Sequence, residues 1–227
     1  VRTAAAAACA AVLDSSVTSI DPAAPEFQFL MQILDRLMIM GVGDDVQDIR
    51  VRIFNSLAPS LDYTISYAEN MHCLIEALND ECLDVRIASM KVLSRVAHHD
   101  TLHIMPVMRL TLKRLILTLI NSKDHVVKRE SVQLLQALIN GSHTLIVPYV
   151  KQVIAPLMGL LNSSSVDVVA ALSTIGDLAV ASPESVREYL HVLSPQLIEA
   201  LNDQTSVSKQ ETAVIAMGKL VSSLTIE

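Results

Sequence analysis

The sequence is short of the residues on which several protein classes depend. Its 227 residues include no Trp, only 3% aromatic residues and three cysteines, and its longest uninterrupted apolar run, Ala4 to Leu13, has ten residues. A bilayer-spanning helix needs about 20 apolar residues, so no transmembrane segment is predicted. The Ala4 to Leu13 run lacks an initiator Met and an extended basic stretch before it, which argues against a secretory signal peptide and favours a buried helix.

Too few cysteines are present for a disulfide framework. Cys9, Cys73 and Cys82 form no Cys-x-x-Cys pair, and their odd number and irregular spacing favour reduced thiols in an intracellular protein. We expect them to be small buried apolar side chains. Because the chain starts at Val1 and a helical pattern runs almost to Glu227, we expect it to be a segment of a longer protein.

Basic residues are also scarce, with 17 Lys and Arg against 24 Asp and Glu and a net charge of -7. A dedicated nucleic-acid binder or a polybasic membrane anchor needs a net basic surface, so neither is predicted. Apolar residues, in contrast, make up 51% of the chain. A core built from Leu, Ile, Val, Ala and Met with so few aromatic residues favours helices over strands.

A repeat of about 40 residues runs through the chain. A Leu-Asn or Ile-Asn pair followed by Asp or Ser occurs at Leu78, Ile120, Leu161 and Leu201, at intervals of 42, 41 and 40. Asn after an apolar helical stripe is typical of a helix end, since Asn tolerates the left-handed conformation that closes a C-terminus. A second series, Leu57, Val96, Leu138, Leu178 and Leu220, marks another helix in each repeat.

The pattern predicts an all-α superhelical solenoid of αα-hairpins. A partial helix at 1–14 and a linker form residues 1–25, the end of a preceding repeat, and about five repeats fill residues 26–227. The predicted helix pairs are 26–40 with 46–60, 64–79 with 83–98, 102–121 with 125–140, 144–162 with 166–181, and 184–202 with 206–223. Ser182 is predicted to cap the helix that begins at Pro183, and Pro156 and Pro195 should bend the helices that contain them.

Two motifs identify the kind of repeat. Asp84-Val85-Arg86 opens a second helix, Asp48-Ile49-Arg50 is its counterpart, and both resemble the HEAT repeat. The run YAENMHCLIEALNDECLDVRIASMKVLSRVA from Tyr67 to Ala97 resembles the amino-terminal HEAT solenoid of the target of rapamycin (TOR) protein kinases. So do IVPYVKQVIAPLMGLL from Ile146 to Leu161 and STIGDLA from Ser173 to Ala179. The connection at 162–166 is shorter than the polar loop of that family.

This resemblance implies a scaffold segment of a giant serine/threonine kinase in growth and nutrient signalling, with its catalytic domain outside the segment. It implies a Raptor-type regulatory subunit and a second kinase copy as partners. It also implies a cytoplasmic location, peripheral on vacuolar or lysosomal membranes through those partners. ATP and magnesium are implied only for the parent kinase domain, and no cofactor is expected here. A HEAT-repeat transport receptor or adaptor that grips protein cargo is the alternative.

Residues that could carry chemistry are few. The six glycines form no Gly-x-Gly-x-x-Gly loop, and neither His-Arg-Asp nor Asp-Phe-Gly occurs, so no kinase site is predicted. No nucleophile has a base and an orienting group at recognisable spacing, which disfavours a hidden hydrolase. The cluster His98, His99, Asp100 and His103 could bind a metal but is better explained as a solvated turn. Asp44, Asp45 and Asp48 lack the Gly and Glu of a calcium loop and suit helix capping.

Basic residues are concentrated in a single repeat. The six that form this basic patch are Arg109, Lys113, Arg114, Lys123, Lys128 and Arg129. We consider two interpretations: a surface that docks an acidic partner, and an ordinary solvated solenoid face.

Two further groups are weaker candidates. Ser163, Ser164 and Ser165 could be phosphorylated at the start of a helix, although most serine runs are loops. Met31, Met38 and Met40 could form an adaptable contact surface, although Met at helical spacing is more often core.

Overall fold

The computed structural model describes residues 1–17, 24–99, 101–161 and 165–224, and over these ranges the regular structure is helical. Two short 3₁₀ segments, Pro59–Leu61 and Val147–Tyr149, precede α4 and α10. The α-helices are α1 Arg2–Val17, α2 Pro25–Gly43, α3 Gln47–Ser56, α4 Asp62–Ile65, α5 Ala68–Ala77, α6 Leu83–Val96, α7 Thr101–Asn121, α8 His125–Gly141, α9 His143–Ile146, α10 Val150–Leu160, α11 Ser165–Ala181, α12 Pro183–Arg187, α13 Leu190–Asn202 and α14 Val207–Leu224. The chain divides into two compact units, Val1–Met108 and Arg109–Glu227.

The first unit is a stack of helical hairpins. The helices α2 and α5 are the first helices of two hairpins, and each packs on its own second helix, α3 or α6. First helices also pack on first helices, α2 on α5, and second helices on second helices, α1 on α3 and α3 on α6. Leu34, Ile53, Phe54, Leu74 and Leu93 are fully buried in this stack. Each hairpin thus buries its apolar face against its neighbour, as a repeat protein requires.

The second unit follows the same scheme. Hairpins pair α10 with α11 and α13 with α14, while the second helices α8, α11 and α14 pack in sequence. The contact of α11 with α14 is close because Gly176 lies there, and a Cβ added to it would be 3.1 Å from the backbone Cα of Ala216. The predicted all-α helical-repeat fold is confirmed, whereas the division into 1–25 and 26–227 stays a prediction.

Three predicted first helices are each interrupted. The predicted helix 64–79 consists of α4 and α5, that at 144–162 of α9 and α10 with the 3₁₀ segment Val147–Tyr149 between them, and that at 184–202 of α12 and α13. Pro156 and Pro195 lie inside α10 and α13, which continue through them. The interruptions therefore lie nearer the start of the hairpin than the interior prolines from which a bend is predicted.

The helix ends agree with the prediction in position but not in conformation. The helices α7 and α13 end at Asn121 and Asn202, yet no non-Gly residue that the structure describes has the positive φ of the left-handed conformation. Asn79 instead donates its backbone N–H to Glu76 in a 3₁₀-type turn. The chain then leaves the helix at Asp80, whose carboxylate accepts the N–H of Cys82 at 2.8 Å. Asp side chains hydrogen-bond readily to the backbone two residues on, and this turn ends the helix without a left-handed residue.

The predicted helix start at Ser182 is confirmed, but its predicted hydrogen bond is not. Ser182 is the N-cap residue of α12, yet its side chain makes no capping bond to the backbone. Its hydroxyl donates to the Ser185 hydroxyl at 2.9 Å instead. Pro183 in the first turn, where an N–H has no helical partner, remains a sufficient reason for the helix to begin there.

Candidate protein-binding surface

The basic patch is built by α7, the turn after it, and the start of α8. Arg109, Lys113 and Arg114 are exposed on α7, and Lys123 is exposed in the turn. Lys128 and Arg129 lie in the first turns of α8 and are half-buried. Arg109 and Lys113 are four residues apart and therefore share one helical face, with Arg114 one residue round from it. The structure thus places four of the six predicted cations on open surface and two closer to the core.

Apolar side chains share this surface with the cations. Leu110, Leu117 and Ile120 are 70%, 58% and 56% exposed on α7. Val126 and Val127 are exposed at the start of α8. The sequence predicts the charges here but not the exposure of these apolar residues. An apolar pattern with the helical period identifies the buried face of a helix only when the opposite face is polar. In α7 both faces carry Leu and Ile.

The turn between α7 and α8 is held by local hydrogen bonds. Asp124 is the N-cap of α8, and its carboxylate accepts the Val126 N–H at 2.8 Å. The Ser122 hydroxyl accepts the Asp124 N–H at 3.2 Å. Across to the next hairpin, His125 Nδ1 lies 3.2 Å from the buried carboxylate of Asp167. These contacts hold the start of α8, and hence Lys128 and Arg129, against α11.

A carboxylate in the second unit joins three successive second helices. Asp177 on α11 is 5% exposed and accepts hydrogen bonds from Gln136 at 2.9 Å and Asn140 at 3.1 Å, both on α8. Its other oxygen accepts from Lys219 Nζ on α14 at 2.5 Å. We call this group the Asp177 hub. A buried carboxylate needs such partners, because an unpaired one costs several kcal/mol.

Two arginine–aspartate pairs provide the buried polar connections of the first unit. Arg50 on α3 is 5% exposed, and its guanidinium donates two hydrogen bonds, each 2.8 Å, to the two carboxylate oxygens of Asp80. The Asp80 hydrogen bond raises the pKa of Arg50. A second pair, Arg95 with Asp62, is also bidentate, and Arg95 additionally donates to the Leu57 carbonyl at 2.8 Å. Planar forks of this kind fix geometry as well as charge.

The arginines of the Asp-x-Arg motifs have a recurring local role. Arg50 donates to the carbonyl of Asp44, and Arg86 to that of Asp80, each six residues earlier and at 2.8 Å. Lys209 likewise bonds an Asp six residues earlier, Asp203, but donates to its carboxylate rather than to its carbonyl, at 2.9 Å. The motif is visible in the sequence, but this role of its arginine is not predicted from it. The spacing of six residues from a turn Asp is the signal that could have revealed it.

The other predicted sites gain no function. His98 and His99 are exposed, whereas Asp100 and the side chain of His103 lie outside the described residues. In the described part of the chain, no group of three or more His, Cys, Asp or Glu side chains could hold a metal ion. The Asp44 carboxylate accepts a hydrogen bond from the Val46 N–H and forms an ion pair with Arg2, so its role is structural. Ser163 and Ser164 lie outside the described residues, and so does the side chain of Ser165, the first residue of α11.

Methionine and cysteine side chains take packing positions. Met38 is fully buried, while Met31 and Met40 are half-buried, which agrees with the core interpretation for Met38. Cys9, Cys73 and Cys82 are free and half-buried rather than fully buried. Burial raises the pKa of the Cys73 thiol, with the charges of Glu76 and Asp35 as smaller causes. A raised thiol pKa disfavours the reactive thiolate.

An apolar cavity of about 370 Å³ opens between α1 and α2 in the first unit, lined by residues that include Ala6, Cys9, Phe29 and Ile33. Arg2, Gln32 and Arg36 also line it, but its lining residues include no Asp, Glu or His that could act as a general base. No helix among the described residues is long and apolar enough to cross a membrane.

Comparison with known proteins gives a consistent relationship. No family model matches the chain. The serine/threonine-protein kinase TOR of Arabidopsis thaliana is 32% identical over 200 residues, which cover 85% of this chain and 8% of that protein. Kinase tor1 of Schizosaccharomyces pombe is 30% identical over 97% of this chain and 10% of its own length. TOR2 of Saccharomyces cerevisiae is 28% identical over 85% of this chain and 8% of its own length.

Solved structures show the same fold in another context. The Kap95p structure with RanGDP matches 98% of this chain and 28% of that chain, with a TM-score of 0.64 and 19% identity. Kap121p matches 95% of this chain and 26% of its own, with a TM-score of 0.60 and 16% identity. These identities support the fold alone, a helical-repeat solenoid of the HEAT and armadillo kind.

The chain spans a tenth or less of the length of the curated relatives that it matches here. The matched stretch has a helical-repeat fold, so the kinase domain of those relatives lies outside it. Sequence and fold together identify this chain as a HEAT-repeat segment homologous to the TOR serine/threonine-protein kinases.

Proposed function

We propose that this chain is a non-catalytic scaffold segment of a TOR-like serine/threonine kinase that assembles the kinase complex in growth and nutrient signalling. The observation that carries the proposal is the similarity to TOR kinases over 85% of the chain at 28–32% identity. Its partners are a Raptor-type regulatory subunit and a second kinase copy, and the segment itself binds no ATP, magnesium or nucleic acid. Its location is cytoplasmic, and peripheral on vacuolar or lysosomal membranes through those partners.

The physical basis of a scaffold is resistance to bending between neighbouring hairpins. Apolar burial holds the hairpins together but is non-directional. The Arg50–Asp80 pair adds directional bonds between α3 and the turn before α6, and the Asp177 hub adds them between successive second helices of the second unit. Each unit therefore presents its surface residues at fixed spacing, which is what a docking partner needs.

The basic patch is the docking surface in this proposal. Among its residues, Arg109, Lys113 and Lys123 are exposed. None of these three side chains forms a hydrogen bond or ion pair with a described residue. Long cationic side chains without internal partners can meet carboxylates of another protein at little cost in existing bonds.

A deletion in the full-length kinase tests the scaffold role. Removing residues 64–223 should abolish capture of the Raptor-type subunit or assembly of the kinase dimer in a pull-down. Phosphorylation of a short peptide by the deleted kinase serves as the control that its catalytic domain is intact. Unchanged subunit capture and unchanged dimer assembly would contradict the proposal.

Charge reversal tests the patch separately. The double variant Lys113→Glu with Arg114→Glu should weaken partner binding, whereas Arg52→Glu with Lys91→Glu, at exposed cations in the first unit, should not. Equal affinity of both variants for every partner would remove the patch from the proposal. The transport-receptor alternative rests on the Kap95p and Kap121p folds alone, and a full reading frame without a kinase domain would favour it.

A further inference from the structure

The part of α7 within the second unit separates its buried side chains from its exposed ones. From Arg109 onward the buried side chains are Leu112, Leu115, Ile116 and Leu119. At 100° per residue these fall on one side of the helix, and Leu110 and Leu117 fall within about 20° of each other near the middle of the opposite side. The solvent face of α7 therefore has an apolar line along its centre.

Cations border this apolar line. Arg109 and Lys113 lie on one flank with Ile120, and Arg114 lies on the other flank. The whole of α7, Thr101–Asn121, contains no Asp or Glu. A helix face of this kind has a positive field that nothing on the same helix neutralises.

Two lysines elsewhere in the chain have carboxylate partners within it. Lys151 bonds Glu188 at 2.9 Å and Lys209 bonds Asp203 at 2.9 Å. The side chains of Arg109 and Lys113, in contrast, form no hydrogen bond or ion pair with any residue that the structure describes. These two cations are therefore available to carboxylates of another protein.

We infer that this face, which we call the α7 seam, binds an acidic amphipathic helix of another protein. The inference deepens the proposed docking role of the basic patch by naming the partner's chemistry. The apolar line is one side chain wide and its leucines are seven residues apart, which is the spacing with which a helix presents anchors to a second helix. Glutamates flanking the partner's apolar stripe would meet Arg109 and Lys113 on one side and Arg114 on the other.

Two other occupants fit less well. A membrane or a nucleic acid is drawn by dense positive charge, and three cations in a chain of net charge -7 supply little of it. A second copy of this chain would have to offer an acidic, exposed apolar helix. That case is tested directly below.

The probe is a fluorescein-labelled 20-residue helical peptide with Leu on one stripe and Glu on both flanks, titrated with the 227-residue chain in low salt. A matched peptide carries Gln at every Glu. We expect the Glu peptide to bind about tenfold more tightly than the Gln peptide, and the difference to shrink at 0.5 M salt.

Variants separate the two components of the seam. Arg109→Glu with Lys113→Glu should weaken Glu-peptide binding about tenfold, and Leu110→Ser with Leu117→Ser about fivefold. The control pair Arg52→Glu with Lys91→Glu should bind like the wild type. All these side chains are exposed, so circular dichroism should give unchanged melting curves.

Three results would overturn the inference: equal binding of the Glu and Gln peptides, binding of phosphatidylserine vesicles but of neither peptide, and wild-type self-association that the seam variants abolish. Failure here would leave the scaffold proposal standing, because subunit capture by the full-length kinase is measured without the peptide. Conversely, peptide binding with normal capture after the 64–223 deletion would keep the seam and reject the proposed scaffold partners.

Discussion

The two units of this chain use the same helical packing but secure it with different polar chemistry. In Val1–Met108, bidentate pairs join Arg50 to Asp80 and Arg95 to Asp62 near the turns of the hairpins. In Arg109–Glu227, the Asp177 hub lies in the middle of α11 and uses two amides and one lysine. The difference teaches that apolar stripes specify the stacking, whereas the polar bonds between hairpins can be rebuilt from other residues in other places.

The largest effect should come from breaking the buried pair of the first unit. Asp80→Ala removes both acceptors of a guanidinium that is 5% exposed, and breaking a buried pair costs about 3–5 kcal/mol. Urea unfolding should show this loss. Glu81→Ala is the matched control, because Glu81 is 88% exposed and 3.5 Å from Arg50, and it should change stability little. A small change for Asp80→Ala would mean that water reaches the guanidinium.

The Asp177 hub should be the weaker of the two connections. Asp177→Ala removes the acceptor of Asn140 and Lys219 and one of the two acceptors of Gln136, and the loss of stability should be about 2–3 kcal/mol. This loss of stability should be smaller than the loss for Asp80→Ala, because Lys219 is 36% exposed and water can hydrate it. Urea unfolding of both variants side by side measures the order. The reverse order would show that the mid-helix hub, not the turn pair, carries more of the stability.

Glycine substitutions sharpen the comparison of packing within the second unit. Gly176→Ala puts a Cβ 3.1 Å from the Ala216 backbone and should destabilise the protein by about 1 kcal/mol. Gly159 has no atom within 4 Å of an added Cβ, so Gly159→Ala should stabilise α10 by about 0.5–1 kcal/mol. The midpoint of thermal unfolding should therefore fall for Gly176→Ala and rise for Gly159→Ala. Shifts of the same sign would contradict the close approach of α11 and α14.

The smallest effect should come from the turn carboxylate of the last hairpin. Hydrogen bonds from Lys209 and then Thr205 hold the pKa of Asp203 well below its ordinary value. A carboxyl whose pKa is lowered on folding contributes stability above its unfolded pKa of about 3.9 and loses it as pH falls through the folded value. Asp203→Asn should thus be less stable than wild type at pH 7, and the gap in the free energy of unfolding should narrow progressively as pH falls below about 4.

Urea unfolding of Asp203→Asn and wild type from pH 7 to pH 3 measures that gap. Asp45→Asn, at an exposed Asp in the first unit, is the control for the loss of one charge. A gap that stays constant with pH would show that the Lys209 bond does not depend on ionisation of Asp203.

Parts of the fold were predictable because they depend on local pattern. The bounds of α6, α7, α8 and α11 lie within two residues of their predicted values, since their apolar stripes and starts coincide in sequence. The interruptions before α10 and α13 were not predicted, because the apolar pattern continues across them. The helices α7 and α13 end at Asn121 and Asn202 as predicted, but the predicted left-handed conformation is absent from the described residues, because the turn Asp makes a competing hydrogen bond that needs no left-handed residue.

The candidate site, too, is only partly predictable from the sequence. Charge density in the sequence identifies Arg109, Lys113 and Arg114, since like charges close in sequence are close in a helix. It cannot show that Leu110 and Leu117 are exposed, because a leucine in a helix is buried or exposed according to what packs on that face. The inter-helix pairs likewise join residues about 30 to 42 positions apart, a separation at which many pairings are equally allowed by pattern.

By itself the sequence determined the helical class, the period near 40 residues, and the kinship with TOR kinases, because each is written in local spacing or in residue identity. Tertiary structure alone decided which carboxylate meets which cation, where first helices break, and that the solvent face of α7 keeps an apolar line between its cations. The reason is physical: side-chain periodicity specifies that a face must be covered, but only three-dimensional packing specifies which residue covers it and which is left to solvent.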